Sequence, residues 1–361
     1  MQLDMHFYAT YFLARCAGIP SNDARIIATG AQFVDEATSD LNLFHKNGGY
    51  FRGPSTVQNK LGAIKGSYIS PENQYSIWVP FHFLPGGTGD TLEERLICGK
   101  DSAIVQEVMN QNLTKIKSKS CQFSLELMGV AAHVYMDTFS HYGFSGIGSE
   151  HNSIKVGSIR YKNVNDHEEI YKYITGKFER FAEKWKISSW GRALISDITH
   201  HLGHGSVATL PDRPYLQWEY EKNNGDRIHR DNPSDYLEGC NKLHKYLCRF
   251  SKIYYSTPST PVKFSKIKKT VKTIIVSKGR KEERCKRWQE AIKSPFFENT
   301  QADQNIQFDA TSCKFDKQTF DTESKSEDFT TKSLYKYYQA THWHRYLVLQ
   351  EILPKYGIVI D

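Results

Sequence analysis

Apolar residues recur along most of this chain at spacings of three and four, the pattern of helices buried on one side. The stretch "HFYATYFLARCA" is apolar on nearly every face and stops at Gly18, a residue suited to the end of a helix; Pro20-Ser21 then opens another. In that second helix Ala24, Ile27, Ala28, Ala31 and Asp35 share one stripe, so Asp35 extends the inward face. Residues 91–117, 121–143 and 234–255 read as further helices, as do "DHEEIYKYITGKFERFAEKW" and "WGRALISDITHHLGHG". Residues 45–90 are rich in Gly, Pro and Asn. There "YSIWVPFHFLP" is strongly apolar, and Pro80 and Pro85 predict an extended or turn segment, not a helix interior. From Ser256 to about Thr331 the chain turns Lys-, Ser-, Thr- and Asp-rich, with one helix expected over 282–293. "SLYKYYQATHWHRYLVLQEILPKYG" then restores a helical pattern apolar enough to require docking.

These elements predict a mainly α fold, a single multi-helix domain with irregular loops. Its helical metal-binding core spans 1–255, a basic and polar excursion, partly mobile, spans 256–331, and a C-terminal helix in 332–361 docks on the core.

Composition narrows the class. With 39% hydrophobic and 24% charged residues the chain is not disordered throughout. Its seven cysteines include no Cys-x-x-Cys, which argues against a disulfide framework and a thiolate zinc site and for a reducing compartment. The N-terminus lacks the basic region of a signal peptide, and no apolar run reaches the roughly 18 residues that span a bilayer, so a cytoplasmic location is expected. The net charge of +7 is local: residues 263–287 hold 11 Lys/Arg against Glu282 and Glu283, or 11 − 2 = +9. That stretch suits nucleic acid or an anionic membrane surface, or is simply a solvated face, and it lacks the interleaved aromatics of a base-stacking platform.

The candidate chemistry begins at "AAHVYMDTFSHYGF", which sets His133, Asp137 and His141 in line inside an apolar helix. A buried carboxylate needs a cation, and no Lys or Arg lies on this helix. The outer Cα atoms would stand about 12 Å apart at 1.5 Å per residue, too far for both rings to share one ion. If all three bind metal, Asp137 bridges and at least two ions are implied. The competing reading makes the histidines satisfied core residues.

"SDITHHLGHG" adds His200 and His204 at i and i+4, and Asp197 and His201 on another face, the spacing of a helical chelate. His6 with Asp4 just before it, Asp35, and His82 inside "VPFHFLP" also fall where the pattern is apolar. Separate buried polar groups in such number are less economical than one shared metal site. Asp212 and Arg213 read as a local turn pair. His45, His151, His167, His229 and His244 read as surface residues, and His342 and His344 cannot share a helical face.

The order His6, Asp35, His82, His133, Asp137, His141, His200, His204 resembles that of the zinc-dependent phospholipase C and S1/P1 nuclease superfamily. "MQLDMHFYATY", "AQFVDE", "VPFHFLP", "GHGSVATLPDRPYLQW" and the C-terminal helix also resemble a bacterial family of unknown function, over most of the chain. The first resemblance implies an all-helical phosphoesterase with two or three zinc or other divalent ions. Asp35, His82, His133 and Asp137 would hold one, and Asp137 would bridge to a second on His6, with Asp4 as a weaker candidate. His141, His200 and His204 would hold the third, with Asp197 and His201 as weaker candidates. Asp35 and Asp137 would be the catalytic carboxylates and a phosphate ester the substrate. The pattern departs at His141, four residues after the bridging Asp where six is usual. It also departs at the N-terminal amine ligand, which Asp4 is expected to replace.

The leading expectation is therefore a metal-dependent hydrolase of a phosphodiester or phosphomonoester. The alternative is a non-catalytic helical protein with a structural or vestigial metal and a basic interaction surface. An HD-type phosphohydrolase needs a His-Asp dipeptide, and none of the 14 histidines is followed by Asp. No Walker A loop, Rossmann fingerprint or nucleophile elbow is present.

Overall fold

The computed structural model describes residues 1–360 apart from 47, 59–69, 119, 156, 164–201 and 315–325. The helices expected over 166–185 and 190–201, with Asp197, His200 and His201, lie outside the described residues.

The chain is one mainly helical domain. A π-helical turn, Asp4–Ala9, runs into α1 (Thr10–Cys16), then α2 (Ser21–Glu36), α3 (Ala103–Lys117) and α4 (Ser124–His141). α5 (Asn232–Tyr254), α6 (Phe264–Val276), α7 (Lys281–Ile292) and α8 (Ser333–Tyr346) follow. Two small antiparallel sheets decorate the bundle. A hairpin pairs β1 (Leu41–Phe44) with β2 (Tyr50–Gly53), joining Leu41 to Gly53, and β3 (Arg160–Tyr161), β4 (Gln217–Glu221) and β5 (Arg227–Asp231) form the other.

α4 is central because it is apolar on all sides. Leu127, Val130, Val134 and Phe139 are buried at 0–1% exposure, and α2, α3, α5 and α8 pack around it. Each such side chain contributes about 1.5–3 kcal/mol as an upper bound. α2 approaches α4 closest, through glycine: a Cβ on Gly129 would lie 2.3 Å from the Ile27 carbonyl oxygen. This backbone contact fixes Asp35 relative to His133 and Asp137.

Three expectations change. The segment before His82 is helical, through Pro71–Asn73, the π-turn Gln74–Trp78 and Val79–Phe81. Pro80 cannot donate to the Ser76 carbonyl four residues back; Arg345 Nε does so instead at 2.8 Å, which lets proline sit inside the turn. The helix expected over 91–117 is broken. After Leu92–Arg95 the strand-like bridges of Ile97 to Ser145 and Cys98 to Pro85 intervene, and Ser102 caps α3 by accepting from the Val105 N–H. The lysine-rich stretch carries two helices, not one. α6 buries Ile267 and Val271, α7 buries Trp288 and Ile292, and Lys266, Lys268, Lys269 and Lys272 remain exposed. Beyond α8 the turn Leu347–Ile352 completes the core with Val348 and Ile352. No described helix is long and apolar enough to cross a membrane.

Candidate metal centre

α4 presents His133, Asp137 and His141 on one line, at 0%, 1% and 4% exposure. The π-turn brings His6, the end of α2 brings Asp35, and the end of the Val79–Phe81 turn brings His82. The loop around the 3₁₀ turn Gly205–Val207 brings His204 and Asp212. Asp137 is the hub. Its Oδ2 lies 3.1 Å from His133 Nε2, 3.3 Å from His82 Nδ1 and 3.5 Å from His141 Nδ1, and its Oδ1 lies 3.3 Å from His6 Nε2. His6 stacks on His133, with ring centroids 3.8 Å apart, and its Nε2 is 3.9 Å from Asp35 Oδ2.

Backbone carbonyls set the tautomers, because a carbonyl can only accept. His133 Nδ1 donates to Ala31 O at 2.7 Å, His82 Nε2 to Thr56 O at 2.9 Å, His141 Nδ1 to His82 O at 2.8 Å and His204 Nδ1 to Ala208 O at 2.6 Å. In the neutral rings the other nitrogens carry lone pairs, and these face acceptors. His133 Nε2 is 3.3 Å from His82 Nδ1, His141 Nε2 is 3.1 Å from Asp212 Oδ1, and His204 Nε2 is 3.7 Å from Asp212 Oδ2. Both ring nitrogens of buried His6 lack a hydrogen-bond partner.

Burial and neighbouring groups keep four of the donors, His6, His204, Asp137 and Asp212, deprotonated. Burial, then the neighbouring His133 and the Met1 amine, hold His6 down at about 4; burial does the same for His204 against the pull of Asp212. Burial works to raise Asp137 and Asp212. For Asp137 the favourable interactions of its ionised form with His141, the Met1 amine, His133 and His6 outweigh it; for Asp212 those with the amine, His204 and His141 do, and both carboxyls end well below the usual range.

Three groups, two of them sharing His133, each gather donor atoms within 4.8 Å of one another: His6, His133 and Asp137; Asp35, His82 and His133; His141, His204 and Asp212. The residues fit divalent cations: imidazoles held from behind by carbonyls, ionised carboxylates, and a ring with both nitrogens orphaned.

Two assignments need correction and two groups were missed. Asp4 takes no part in the cluster; it forms a buried pair with Arg284, whose Nε donates to its Oδ2 at 2.7 Å. The Met1 amine enters where Asp4 was expected, 2.7 Å from Asp137 Oδ1 and 3.2 Å from Asp212 Oδ1, and its pKa rises to about 11: burial lowers it, but Asp137, Asp212 and Asp35 overcome that. Asp212, read from sequence as a turn residue, accepts from Ser140 Oγ at 3.1 Å beside His141. Its apolar, proline-flanked setting in "TLPDRPYLQW" was the available signal. Of the histidines read as surface residues, His45 and His244 are buried at 4% exposure.

Fold and site together define a mainly helical protein with inward-facing His/Asp clusters able to hold metal ions. The chain belongs to a family of unknown function, DUF6765, which matches residues 1–352. No curated protein and no solved structure matches it.

Proposed function

We propose that this protein is a metal-dependent phosphoric ester hydrolase, with zinc as its ion. The observation that carries the metal reading is the trio of His82 Nδ1, His133 Nε2 and Asp137 Oδ2, mutually within 3.3 Å, with the opposite nitrogen of each ring already donating to a carbonyl. Three acceptors at that distance repel unless a cation lies among them. Mixed imidazole and carboxylate donors suit zinc. The phosphoesterase reading is supported by the chain order of the clustered residues, His6, Asp35, His82, His133, Asp137, His141 and His204, which resembles that of the zinc phospholipase C and nuclease superfamily.

Ions held by these groups would supply Lewis-acid stabilisation of charge on phosphorus and acidify water. The chain's own residues do the rest. The carbonyls of Ala31, Thr56, His82 and Ala208 lock four rings, so the donor atoms need no reorganisation. Asp35, at 29% exposure far more open than Asp137, takes the proton of the attacking water. The exposed lysines of α6 attract a phosphate-bearing polymer or lipid headgroup. The second reading, a structural metal centre, draws on the near-complete burial of His6, His133 and Asp137.

Hydrolysis of bis(p-nitrophenyl) phosphate by zinc-reconstituted protein separates the two. Catalysis is expected, and Asp35→Asn should lower kcat by about 10²–10⁴. Zinc-loaded protein inert toward phosphomonoesters and diesters alike would leave the structural centre standing.

A further inference from the structure

We infer that Arg284, on the lysine-rich helix α7, is a positioning residue of the metal centre. The inference rests on the metal reading above. Arg284 is 2% exposed and reaches inward from a helix whose lysines, Lys281 and Lys286, are exposed and whose Arg287 is half-buried. Its guanidinium makes four hydrogen bonds. Nε and Nη2 donate to the two oxygens of Asp4 at 2.7 and 3.2 Å, Nη2 also donates to Gln2 Oε1 at 2.7 Å, and Nη1 donates to Gly279 O at 2.8 Å.

Gln2 and Asp4 flank the start of the π-turn that presents His6. The Gln2 carbonyl accepts from the backbone N–H groups of Met5 and His6, at 2.9 and 3.0 Å. One planar fork therefore grips the start of the turn, through Gln2 and Asp4, that aims His6 at Asp137 and stacks it on His133. His6 has no hydrogen bond to hold its ring, unlike His82, His133, His141 and His204, each tied to a carbonyl. Its aim depends on the backbone of the turn, and Arg284 sets that backbone. The basic segment is in this way part of the centre's framework as well as a charged surface.

The two test variants are Arg284→Lys, which keeps a charge but loses the fork, and the pair Asp4→Asn with Arg284→Met, which removes both buried charges together. Metal content and the visible absorption of the Co²⁺-substituted full chain are read beside the urea midpoint. Both variants should fold and weaken binding at the His6 position by roughly ten- to hundred-fold. Absorption from the ion at His141, His204 and Asp212 should persist. A folded variant with wild-type ion number and affinity would overturn the role of Arg284 alone. Unfolding of both variants would assign Arg284 to fold stability and overturn it as well. Wild-type protein that binds no divalent ion would remove the metal reading and this inference together.

Discussion

Two buried carboxylates organise this molecule in opposite ways. Asp303 sits among donors: Arg15 reaches its oxygens at 2.8 and 3.1 Å, Tyr11 Oη donates at 2.8 Å, and the Thr300 N–H and hydroxyl each donate at 2.8 Å. Arg15 spends its remaining donors on the carbonyls of Ile19 and Glu298. Asp137 accepts at Oδ1 from the Met1 amine at 2.7 Å, but its Oδ2 faces the ring nitrogens of His82 and His133, whose opposite nitrogens donate to carbonyls behind them. The first network is closed and needs nothing further. The second has an excess of lone pairs, and its natural complement is a cation. The same residue type thus pins a loop in one place and gathers a cluster able to hold a cation in the other, and the neighbours decide which.

Breaking the closed network should produce the largest stability change. Arg15→Met strands a buried carboxylate, and urea unfolding should show a loss of about 3–5 kcal/mol with metal binding unchanged. An equal loss of bound metal would mean that the two networks are not independent. Next in size is Gly129→Ala, whose new methyl would press on the Ile27 carbonyl at 2.3 Å. Separating α2 from α4 should cost about 1–3 kcal/mol and weaken the group containing Asp35 and His133. A neutral result in both stability and metal affinity would show that the two helices do not need their close approach.

The smallest effect near neutrality is one of pH, and it sharpens the contrast. His6, His204 and His344 are held at about 4 by burial, against an ordinary 6.5. Between those values the unfolded chain binds more protons than the folded one, so metal-free protein should lose stability as pH falls from 6.5 toward 4. Asp303 works in a lower window. Burial acts to raise its carboxyl, but Arg15, Thr300 and Tyr11 hold it below its ordinary value of 3.8, so its contribution fades only on acidification below about 4. Urea midpoints of metal-free protein at pH 7, 5.5 and 4.5 should fall steadily. A flat series would mean that these histidines are not buried and neutral.

Much of the centre was legible because helical period and burial are written locally. Three ionisable residues four apart in an apolar helix placed His133, Asp137 and His141 on one line, and the stripe Ala24, Ile27, Ala28, Ala31, Asp35 turned Asp35 inward. What the sequence concealed depends on distant partners. Asp4 looks like a ligand until Arg284, 280 residues away, takes it. Pro80 forbids a helix until Arg345 caps the Ser76 carbonyl in its place. Asp212 resembles any turn aspartate until the loop folds onto His141. α6 was hidden because its lysines mask an apolar stripe of Ile267, Val271, Ile274 and Ile275.

The central claim is that the lone pairs around Asp137 are there for metal. The direct measurement is elemental analysis of purified wild-type protein and Asp137→Asn after dialysis against equimolar Zn²⁺, Mn²⁺ and Mg²⁺. Two or more ions per chain, mainly zinc, are expected in the wild type, with loss of the ions held around Asp137 in a variant that remains folded. Wild-type protein that is folded and metal-free under those conditions would contradict it.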